Sequence, residues 1–349
     1  MNDPSHPVAA AARRSDRLAR PWVVADIGGT NARFGWVAGG SEQVTHVRTL
    51  LGADHAGPGA AATAYLAEVA QQLGSAFEAP RAAAFAVATA VSDDRVEFTN
   101  SGWTFSRAAT QAELALDELL LLNDFEALAL SLPRLGESQV ERIASASAGG
   151  ASTAVGLGGT LAVIGPGTGL GVAGLKPTRH GWVAIPGEGG HATLAAGDDF
   201  EASLLAAVRH DYSHVSAERL LSGIGLPVLH AAVAAVLGRR APTLAAGEIV
   251  ERGLSGADEV CSITLDNFCA LLGSFAGNVA LVLGARGGVY IGGGIVPRLG
   301  ARFAASQFRE RFEAKGRFRP YLQAVPTLLI TDTLAALSGA ALALEQHAS

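Results

Sequence analysis

The chain has 349 residues, of which 49% are hydrophobic and 17% charged, and its formal net charge is −6. This length suits about two domains with sizeable cores, so we expect a soluble globular protein. The negative net charge argues against a nucleic-acid partner that is bound by neutralising its phosphates.

The two cysteines, Cys261 and Cys269, lie in one segment with a helical pattern. Their spacing places both on roughly the same helix face, where core packing is the expected role. The sequence has no Cys/His cluster with structural-zinc spacing and no disulfide framework, so we expect a cytoplasmic protein.

Two segments bear on membrane targeting. Residues 1–20 contain several arginines but no apolar core, which predicts a mobile tail rather than a secretory signal. The segment between Asp266 and Arg286 carries no charge and is long enough to raise the question of a membrane span. Its asparagines and glycines are too polar and too small for lipid, so we expect a buried core helix and no membrane partner.

The first local signal is a glycine turn between two extended runs. Val23–Ile27 leads into Gly28-Gly29, and Phe34–Val37 resumes the apolar pattern, which predicts a β-hairpin. Glycine lets the backbone approach a ligand, so N–H groups and the Thr30 hydroxyl can converge on phosphate oxygens. Asp26 is placed to hold a hard cation through water. The alternative is an ordinary hairpin with Asp26 as a turn residue.

Strands and helices then alternate as far as residue 134. The patterns predict a helix over 63–73, strands over 82–91, 96–100 and 119–122, and a further helix that Pro133 ends. This alternation implies a mostly parallel α/β sheet, in which ligands bind beyond the carboxyl ends of the strands. Asn100, Asn123 and Asp124 fall at such ends.

Asp124 is the candidate general base. A carboxylate within reach of a hydroxyl can accept its proton during phosphoryl transfer, and a position at a helix start favours the ionised form. The alternative role is a helix N-cap. The local sequence does not separate the two roles, because one residue can perform both.

A second glycine turn opens the other half of the chain. Residues 137–160 are rich in Ala, Ser and Gly with little periodicity, which indicates a surface excursion and a domain change. Leu161–Ile164 is then a predicted strand that leads into the turn Gly165–Gly171. No Gly-Lys-Ser/Thr follows, which excludes a Walker loop, and the dinucleotide-like spacing up to Gly174 lacks the required helix. A hairpin that grips phosphate through backbone amides fits better, and two such turns can clamp one polyphosphate.

The remaining chain is predicted to be mainly helical. The predicted strand 289–291 ends in a third glycine cluster, Gly292–Gly294, which can admit a flat base or can simply be a tight strand-to-helix turn. The other predicted elements are helices over 200–209, 217–221, 228–237, 247–254 and 260–283, a charged surface helix over 302–313, a strand over 327–330, and a final apolar helix over 334–344 that packs back on the first domain. These patterns predict a tail at 1–20, a small α/β domain at 21–134 plus 332–349, and a large α/β domain at 135–331.

The loop Pro186–His191 carries one carboxylate and one imidazole among glycines. Glu188 can accept and His191 can donate hydrogen bonds to a small polyol, while the glycine backbone leaves room for its ring. The alternative is that both side chains are only solvated. Asn100 and Glu218 are weaker candidates by themselves, since the first can be a turn residue and the second an exposed helix position.

Taken together, these motifs resemble the bacterial glucokinases of proteobacterial type, in the hexokinase-like, actin-fold superfamily. The two isolated cysteines differ from the zinc-binding cysteine cluster of the related ROK kinases and repressors and place the chain outside that group. The matching segments are colinear: Asp26–Arg33, Thr99–Ser106, Asn123–Phe125, Gly165–Val172, Pro186–His191, His214–Gly223 and Gly292–Arg298.

The resemblance implies a two-domain, actin-like (ribonuclease H-like) α/β fold with mixed sheets flanked by helices and with ATP, Mg²⁺ and glucose in the interdomain cleft. It also implies that Asp124 is the catalytic base and that the protein forms a homodimer. The implied sugar ligands are Asn100, Asn123, Asp124, Glu188, His191 and Glu218. The implied nucleotide ligands are Asp26 (to Mg²⁺, through water), Gly28, Gly29, Thr30, Asn31, Gly165, Gly167, Thr168, Gly169, Gly293 and Gly294.

The expected reaction is transfer of the ATP γ-phosphate to the 6-hydroxyl of glucose, which gives glucose 6-phosphate and ADP at the entry to glycolysis. One alternative is a broader hexose kinase that accepts mannose, glucosamine or fructose. The other is a non-catalytic sugar-binding regulator. An intact base and two phosphate turns argue against the regulator.

Overall fold

The computed structural model describes residues 19–89, 91, 93–98, 102–143, 158–240 and 242–347. The chain divides into two compact units. Unit 1 takes the chain up to Leu135 together with the chain from Thr333, and unit 2 is Gly136–Asp332. Asn100, most of the predicted tail and much of the predicted excursion at 137–160 lie outside the described residues.

The described strands of unit 1 form two sheets. They are β1 (Trp22–Ile27), β2 (Asn31–Val37), β3 (Val44–Leu51), β4 (Ala82–Val87), β5 (Arg95–Glu97), β6 (Thr104–Ser106) and β7 (Glu118–Asn123). The main sheet has the order β3-β2-β1-β4-β7, and β5 pairs with β6. β1, β4 and β7 run parallel to one another, and β2 pairs antiparallel with both of its neighbours, β1 and β3. The predicted opening hairpin and the predicted buried strand at 119–122 are confirmed.

The described helices of unit 1 are α1 (Pro58–Leu73), α2 (Arg107–Glu113), α3 (Asp124–Ser131) and the C-terminal helix (Ala335–His347). The C-terminal helix packs on α3 and on the main sheet. At the contact with α3, a Cβ on Gly339 would overlap the Ala127 carbonyl, so only glycine allows this approach. The prediction that the last helix returns to the first domain is confirmed.

The core of unit 1 holds the β1–β2 hairpin in place. Phe34 of β2 is fully buried, stacks on Tyr65 of α1 at 5.3 Å between ring centroids, and meets Phe85 of β4 edge-on at 6.0 Å. Aromatic pairs of this kind contribute about 0.5–1.5 kcal/mol beyond the area they bury. The hairpin is therefore a rigid element, and the turn at its end projects from a fixed base.

Unit 2 contains one six-stranded mixed sheet. Its strands are β8 (Val140–Arg142), β9 (Leu161–Pro166), β10 (Leu170–Thr178), β11 (Gly181–Gly187), β12 (Gly288–Ile291) and β13 (Thr327–Ile330), in the order β11-β10-β9-β12-β13-β8. β9, β12 and β13 are parallel and buried. The prediction of a surface excursion at 137–160 missed β8, a three-residue edge strand that pairs with β13.

The described helices of unit 2 are α4 (Asp199–Val208), α5 (Leu226–Val236), α6 (Ala246–Ser255), α7 (Glu259–Leu283), α8 (Val296–Leu299), α9 (Ala301–Ala304), α10 (Phe308–Glu313) and α11 (Arg319–Gln323). In length and composition α7 could cross a membrane, yet 67% of its most apolar window is buried inside the structure. Cys261 and Cys269 are both buried on this helix, so the predicted core helix and the predicted core cysteines are confirmed.

The predicted helix at 217–221 is wrong. This segment forms a series of turns before α5. The N–H groups of Ala217 and Glu218 donate to the carbonyls of Ala192 and Gly190 at 2.9 and 2.8 Å. Within the segment, the Leu221 N–H donates to the Ala217 carbonyl at 2.8 Å. The segment is therefore a single turn that is bonded to the neighbouring loop, not a helix.

The predicted charged surface helix at 302–313 is also wrong. The segment forms two short helices, α9 and α10, and α10 lies in the core with Phe308 and Phe312 fully buried. Arg309 is buried as well, and its Nε donates to Glu313 Oε1 at 2.8 Å. Arg309 and Glu313 thus form a buried pair, whereas Glu310 between them is exposed.

Candidate active site

In unit 1, the predicted site residues meet at the carboxyl edge of the parallel strands. Ile27 of β1 is in register with Val87 of β4, and Val87 is in register with Asn123 of β7. The first turn, Gly28–Thr30, therefore leaves the sheet at the same edge as Asn123 and the Asp124 that follows it. The Asn123 amide also reaches across this edge and donates to the Thr89 carbonyl at 3.3 Å.

Backbone hydrogen bonds hold the first turn in shape, and there is free space beside its first glycine. The Gly28 N–H donates to the Asn31 carbonyl at 2.9 Å, and the Thr30 carbonyl accepts from Gly52 N–H at 2.8 Å. A Cβ on Gly28 would meet only the Asn31 carbonyl, at an ordinary 3.6 Å. Gly28 does not have a positive φ, so the fold itself does not demand glycine here.

Asp26 lies within β1 rather than in the turn, and it pairs across the hairpin with Arg33. The Arg33 Nη1 donates to Asp26 Oδ2 at 3.1 Å, and the Asp26 side chain is 20% exposed. Burial raises the pKa of the Asp26 carboxyl, and the nearby Arg33 only partly offsets this rise. Ionisation of this carboxyl is therefore less favourable in the folded chain than in water.

Asp124 is the first residue of α3, and the N-cap of this helix is Asn123. The Phe125 N–H donates to Asn123 Oδ1 and to Asp124 Oδ1, both at 2.9 Å. The N-cap role that the sequence left open for Asp124 is therefore performed by its neighbour. The Asp124 carboxylate stands in the first turn of the helix, where the helix dipole favours a negative charge.

Glu126 completes the start of α3, and the sequence analysis missed it. Its carboxylate accepts a hydrogen bond from the Asn123 backbone, while burial raises the pKa of the Glu126 carboxyl. The spacing Asn123-x-x-Glu126 is that of a capping box, and this was the available signal. The pair of caps fixes the backbone on both sides of Asp124.

In unit 2, the second turn, Gly167–Gly169, joins β9 to β10 and is packed on both sides. The carbonyls of Gly167 and Thr168 accept N–H groups from Gly223 and Ile224 at 2.7 and 3.4 Å. A Cβ on Gly169 would lie 2.5 Å from Glu218 Oε2. The glycine at 169 is therefore needed for the close approach of Glu218.

Glu218 connects the second turn to the loop of the predicted polyol site. Its Oε2 accepts the Leu170 N–H at 2.8 Å, its own N–H donates to the Gly190 carbonyl, and its side chain is 23% exposed. A carboxylate that accepts a backbone N–H is bonded roughly twice as strongly as a neutral acceptor. The predicted solvated helix position is thus a part-buried carboxylate at the centre of several loops.

His191 lies between the two acidic candidates of unit 2. Its Nε2 is 3.9 Å from Glu188 Oε2 and 3.9 Å from Glu218 Oε1, and its carbonyl accepts from the His214 ring at 2.9 Å. The side chains of His191 and Glu188 are 61% and 73% exposed. The three groups offer donors and acceptors within one small area, which suits a ligand with several hydroxyls.

The third glycine cluster borders the second turn. The Gly292 N–H donates to the Ile164 carbonyl at 2.8 Å, and the Ile295 N–H donates to the Pro166 carbonyl at 3.2 Å. Gly293 has φ +77°, and a Cβ there would overlap the Pro166 carbonyl. Gly293 and Gly294 are exposed, so their backbone is open to a ligand beside the second turn.

The structure thus forms two groups of predicted residues, one in each unit. Unit 1 brings together the first turn, Asn31, Asp26, Asn123 and Asp124. Unit 2 brings together the second turn with Gly165, Glu188, His191, Glu218, Gly293 and Gly294. Asn100 lies outside the described residues, and Arg33 and Glu126 are the partners that the sequence analysis did not identify.

Comparisons of the chain with known proteins agree on one family. A family model described as Glucokinase matches residues 23–347. The glucokinase of Aromatoleum aromaticum is 47% identical over 325 residues, which cover 93% of this chain and 95% of that protein. The glucokinase of Paramagnetospirillum magneticum is 48% identical over 320 residues, which cover 91% and 96%.

A solved structure is similar in both sequence and shape. The crystal structure of a glucokinase from an Antarctic psychrotroph is 39% identical, with a TM-score of 0.83, and the match covers 94% of this chain and 99% of that one. The family model's match to residues 23–347 spans parts of both units.

Proposed function

The chain belongs to the glucokinase family, and we propose from its two groups of site residues how it phosphorylates glucose with ATP. The reaction transfers the γ-phosphate to the 6-hydroxyl of glucose and releases ADP. The fold is the α/β fold of the actin-like ATPases, as in the solved structures of sugar kinases that it resembles. The roles below are proposals for individual residues of this chain.

The two glycine turns bind the phosphates of ATP. Gly29, Thr30 and Asn31 contribute backbone N–H groups and a hydroxyl. The Gly28 N–H is bonded to the Asn31 carbonyl, so Gly28 contributes the open space that lets a phosphate approach. The Gly165–Gly169 segment contributes a second set of N–H groups. Gly293 and Gly294 take the adenosine, because their exposed backbone leaves room for a flat ring. Fixed N–H donors stabilise charge that develops on the transferring phosphoryl group without reorganising during the reaction.

The sugar is held by Asn100, Asn123, Asp124, Glu188, His191 and Glu218. Asp124 accepts the proton of the 6-hydroxyl as its oxygen attacks the γ-phosphorus, and the bond to the ADP oxygen breaks. Asn123 and Glu126 hold the backbone on either side of Asp124, so the base keeps its orientation. Positioning of this kind supplies much of the rate in phosphoryl transfer.

Mg²⁺ fits the donor chemistry around Asp26. Asp26 Oδ2 is engaged by Arg33, so the carboxylate is suited to hold a hydrated ion through water rather than to bind it directly. When bound, Mg²⁺ neutralises charge on the phosphate oxygens. Asp26 would orient the water shell, and Arg33 would keep Asp26 in place.

A cytoplasmic location and a homodimer are proposed for this chain as they were expected from its sequence. The tail at 1–20 and the two domains, 21–134 plus 332–349 and 135–331, are likewise proposed. Size-exclusion chromatography with light scattering measures the mass directly, and the mass of a single chain across the working concentration range would contradict the dimer.

The observation that carries the assignment of Asp124 is its place at the carboxyl edge of β7, in register with the first turn. We expect Asp124→Asn to lower kcat by about 10²–10⁴-fold, the usual contribution of a positioned base, with little change in glucose affinity. Asp117→Asn makes the same chemical change before the other end of β7, at an exposed side chain, and should leave kcat unchanged. Near-normal turnover of Asp124→Asn would refute the role.

The second candidate, a broader hexose kinase, is tested with the unmodified chain. A coupled assay with ATP and Mg²⁺ compares kcat/KM for glucose, mannose, glucosamine and fructose. We expect the highest value for glucose. Equal values across the panel would favour the broader kinase, and binding of glucose without any phosphorylation would favour the regulator.

A further inference from the structure

We propose that His230, Asp258 and Cys261 form a binding site for a single divalent transition-metal ion of the zinc type, in unit 2 and apart from the residues assigned to catalysis. One ring nitrogen, one carboxylate oxygen and the Sγ atom lie within 4.8 Å of one another. Imidazole, carboxylate and thiolate are all established zinc ligands. No short sequence motif reveals the group, because His230 is separated in sequence from the other two residues.

The three ligands come from two helices that pack against each other. His230 lies on α5, Asp258 is the N-cap of α7, and Cys261 lies in the first turn of α7. The Cys261 N–H donates to Asp258 Oδ1 at 3.1 Å, so the cap already fixes the two α7 ligands relative to each other. α5 and α7 are in contact, and a bound ion would join them at this point.

The unsatisfied histidine is the observation that points to a ligand. His230 is 2% exposed, and its Nε2 is buried without a hydrogen-bond partner among the described residues. A buried polar atom without a partner destabilises the folded state, and a bound ion would give the imidazole a partner.

The charges of the group suit a divalent ion. One carboxylate and one thiolate together neutralise a divalent cation, and the imidazole adds no charge, so the loaded site is neutral. The metal–sulfur bond to Cys261 forms as the S–H bond breaks, and the released proton passes to solvent. Arg252 is the neighbouring cation, and its guanidinium lies 3.8 Å from Glu248.

Three protein ligands leave one position of a tetrahedral ion for water. Asp258 is the least buried of the three residues. α5 begins directly after the segment that bonds to the second turn through Gly223. The ion would therefore stabilise the helix that follows the phosphate-binding loops.

The site is tested with the full chain after chelation, followed by addition of Co²⁺ or Zn²⁺. We expect one ion per chain to remain after desalting, and we expect the Co²⁺ form to show the charge-transfer band of a cobalt–thiolate bond. Zn²⁺ should raise the melting temperature, because an ion that binds the folded state stabilises it. Absence of the bound ion and of the band in the unmodified chain would overturn the proposal.

Cys269 supplies a matched control, because it is a second buried cysteine on α7. Cys261→Ala should lose the ion, the band and the rise in melting temperature, and Cys269→Ala should keep all three. His230→Gln should lose the tight binding as well, and it provides a second variant if Cys261→Ala folds poorly. Glucose phosphorylation reports folding in each case. Retention of the ion and the band by folded Cys261→Ala, or their loss in Cys269→Ala, would refute the assignment.

Discussion

The two glycine turns have nearly the same sequence signal but different surroundings. The first turn, in unit 1, leaves space beside Gly28, whose added Cβ would touch one carbonyl at 3.6 Å. The second turn, in unit 2, has Glu218 against Gly169 and has its carbonyls bonded to the segment before α5. The first turn thus keeps a glycine that the fold does not need, whereas the second uses its glycine to pack a carboxylate.

This difference separates a glycine that a ligand requires from a glycine that the packing of the fold requires. A residue that is small without a structural reason is a good candidate for close approach by a ligand. A residue that is small because a neighbour occupies the space contributes to a site through that neighbour. Substitutions at the two turns should therefore fail in different ways.

The strongest test exchanges one glycine in each turn for valine. We expect Gly28→Val to keep the wild-type melting temperature and to raise the KM for ATP by about 10-fold or more. The valine side chain would fill the open space beside Gly28 and hold a phosphate oxygen away from the N–H groups that follow in the turn, and one lost hydrogen bond to a charged oxygen costs about 1.5–3 kcal/mol. Gly169→Val should displace Glu218, lower the melting temperature and raise the KM for glucose. Steady-state kinetics and thermal unfolding of both variants measure the difference. A destabilised Gly28→Val would remove the contrast.

A smaller effect is expected from the two acidic ligands near the second turn. Glu218→Gln weakens the bond to the Leu170 N–H, because a charged acceptor is about twice as strong as a neutral one, so both glucose affinity and melting temperature should fall. Glu188→Gln changes a side chain that is 73% exposed and should raise the KM for glucose with no change in melting temperature. An unchanged KM for glucose in Glu188→Gln would count against its role as a ligand.

The hairpins and the long helix could be predicted from sequence because their signals are local. The apolar runs beside each glycine turn predict strands, and the uncharged stretch of α7 matches a buried helix with Asp258 as its cap. The positions of Asn123 and Asp124 also followed, because parallel strands carry their ligands at the same edge. Local pattern and tertiary structure agree at these points.

The failed predictions depend on how the segments pack and pair in the folded chain. The segment 217–221 has a helical pattern, but it forms a single turn whose first two N–H groups bond to the loop at 190–192. Arg309 and Glu313 look like surface residues until the structure shows them paired inside the core. Arg33 was missed for the same reason, because its pairing with Asp26 depends on the hairpin register.

The smallest expected effect concerns Asp26. If the first turn keeps this carboxylate for its ligand, the carboxylate should lower the stability of the folded chain. Burial raises the pKa of this carboxyl in the folded chain above its usual value of about 3.9. The folded state therefore binds this proton more tightly than the unfolded state does. The contribution of Asp26 to stability is complete below the unfolded pKa and falls as the pH rises through the folded pKa.

Asp26→Asn replaces the carboxyl with a group that does not ionise, so at pH 7 the variant should be at least as resistant to urea as the unmodified chain. The difference in free energy of unfolding between the two should shrink towards pH 3. Its turnover with ATP should nevertheless fall, because the amide lacks the charge proposed to hold the hydrated ion. Urea unfolding at several pH values, with kinetics at pH 7, measures both effects. A variant that is less stable by the same amount at every pH would mean that the bond to Arg33 outweighs the burial of the carboxylate. A stability gain with lost activity would show that the carboxylate, like Gly28 in the same hairpin, is kept for the ligand rather than for the fold.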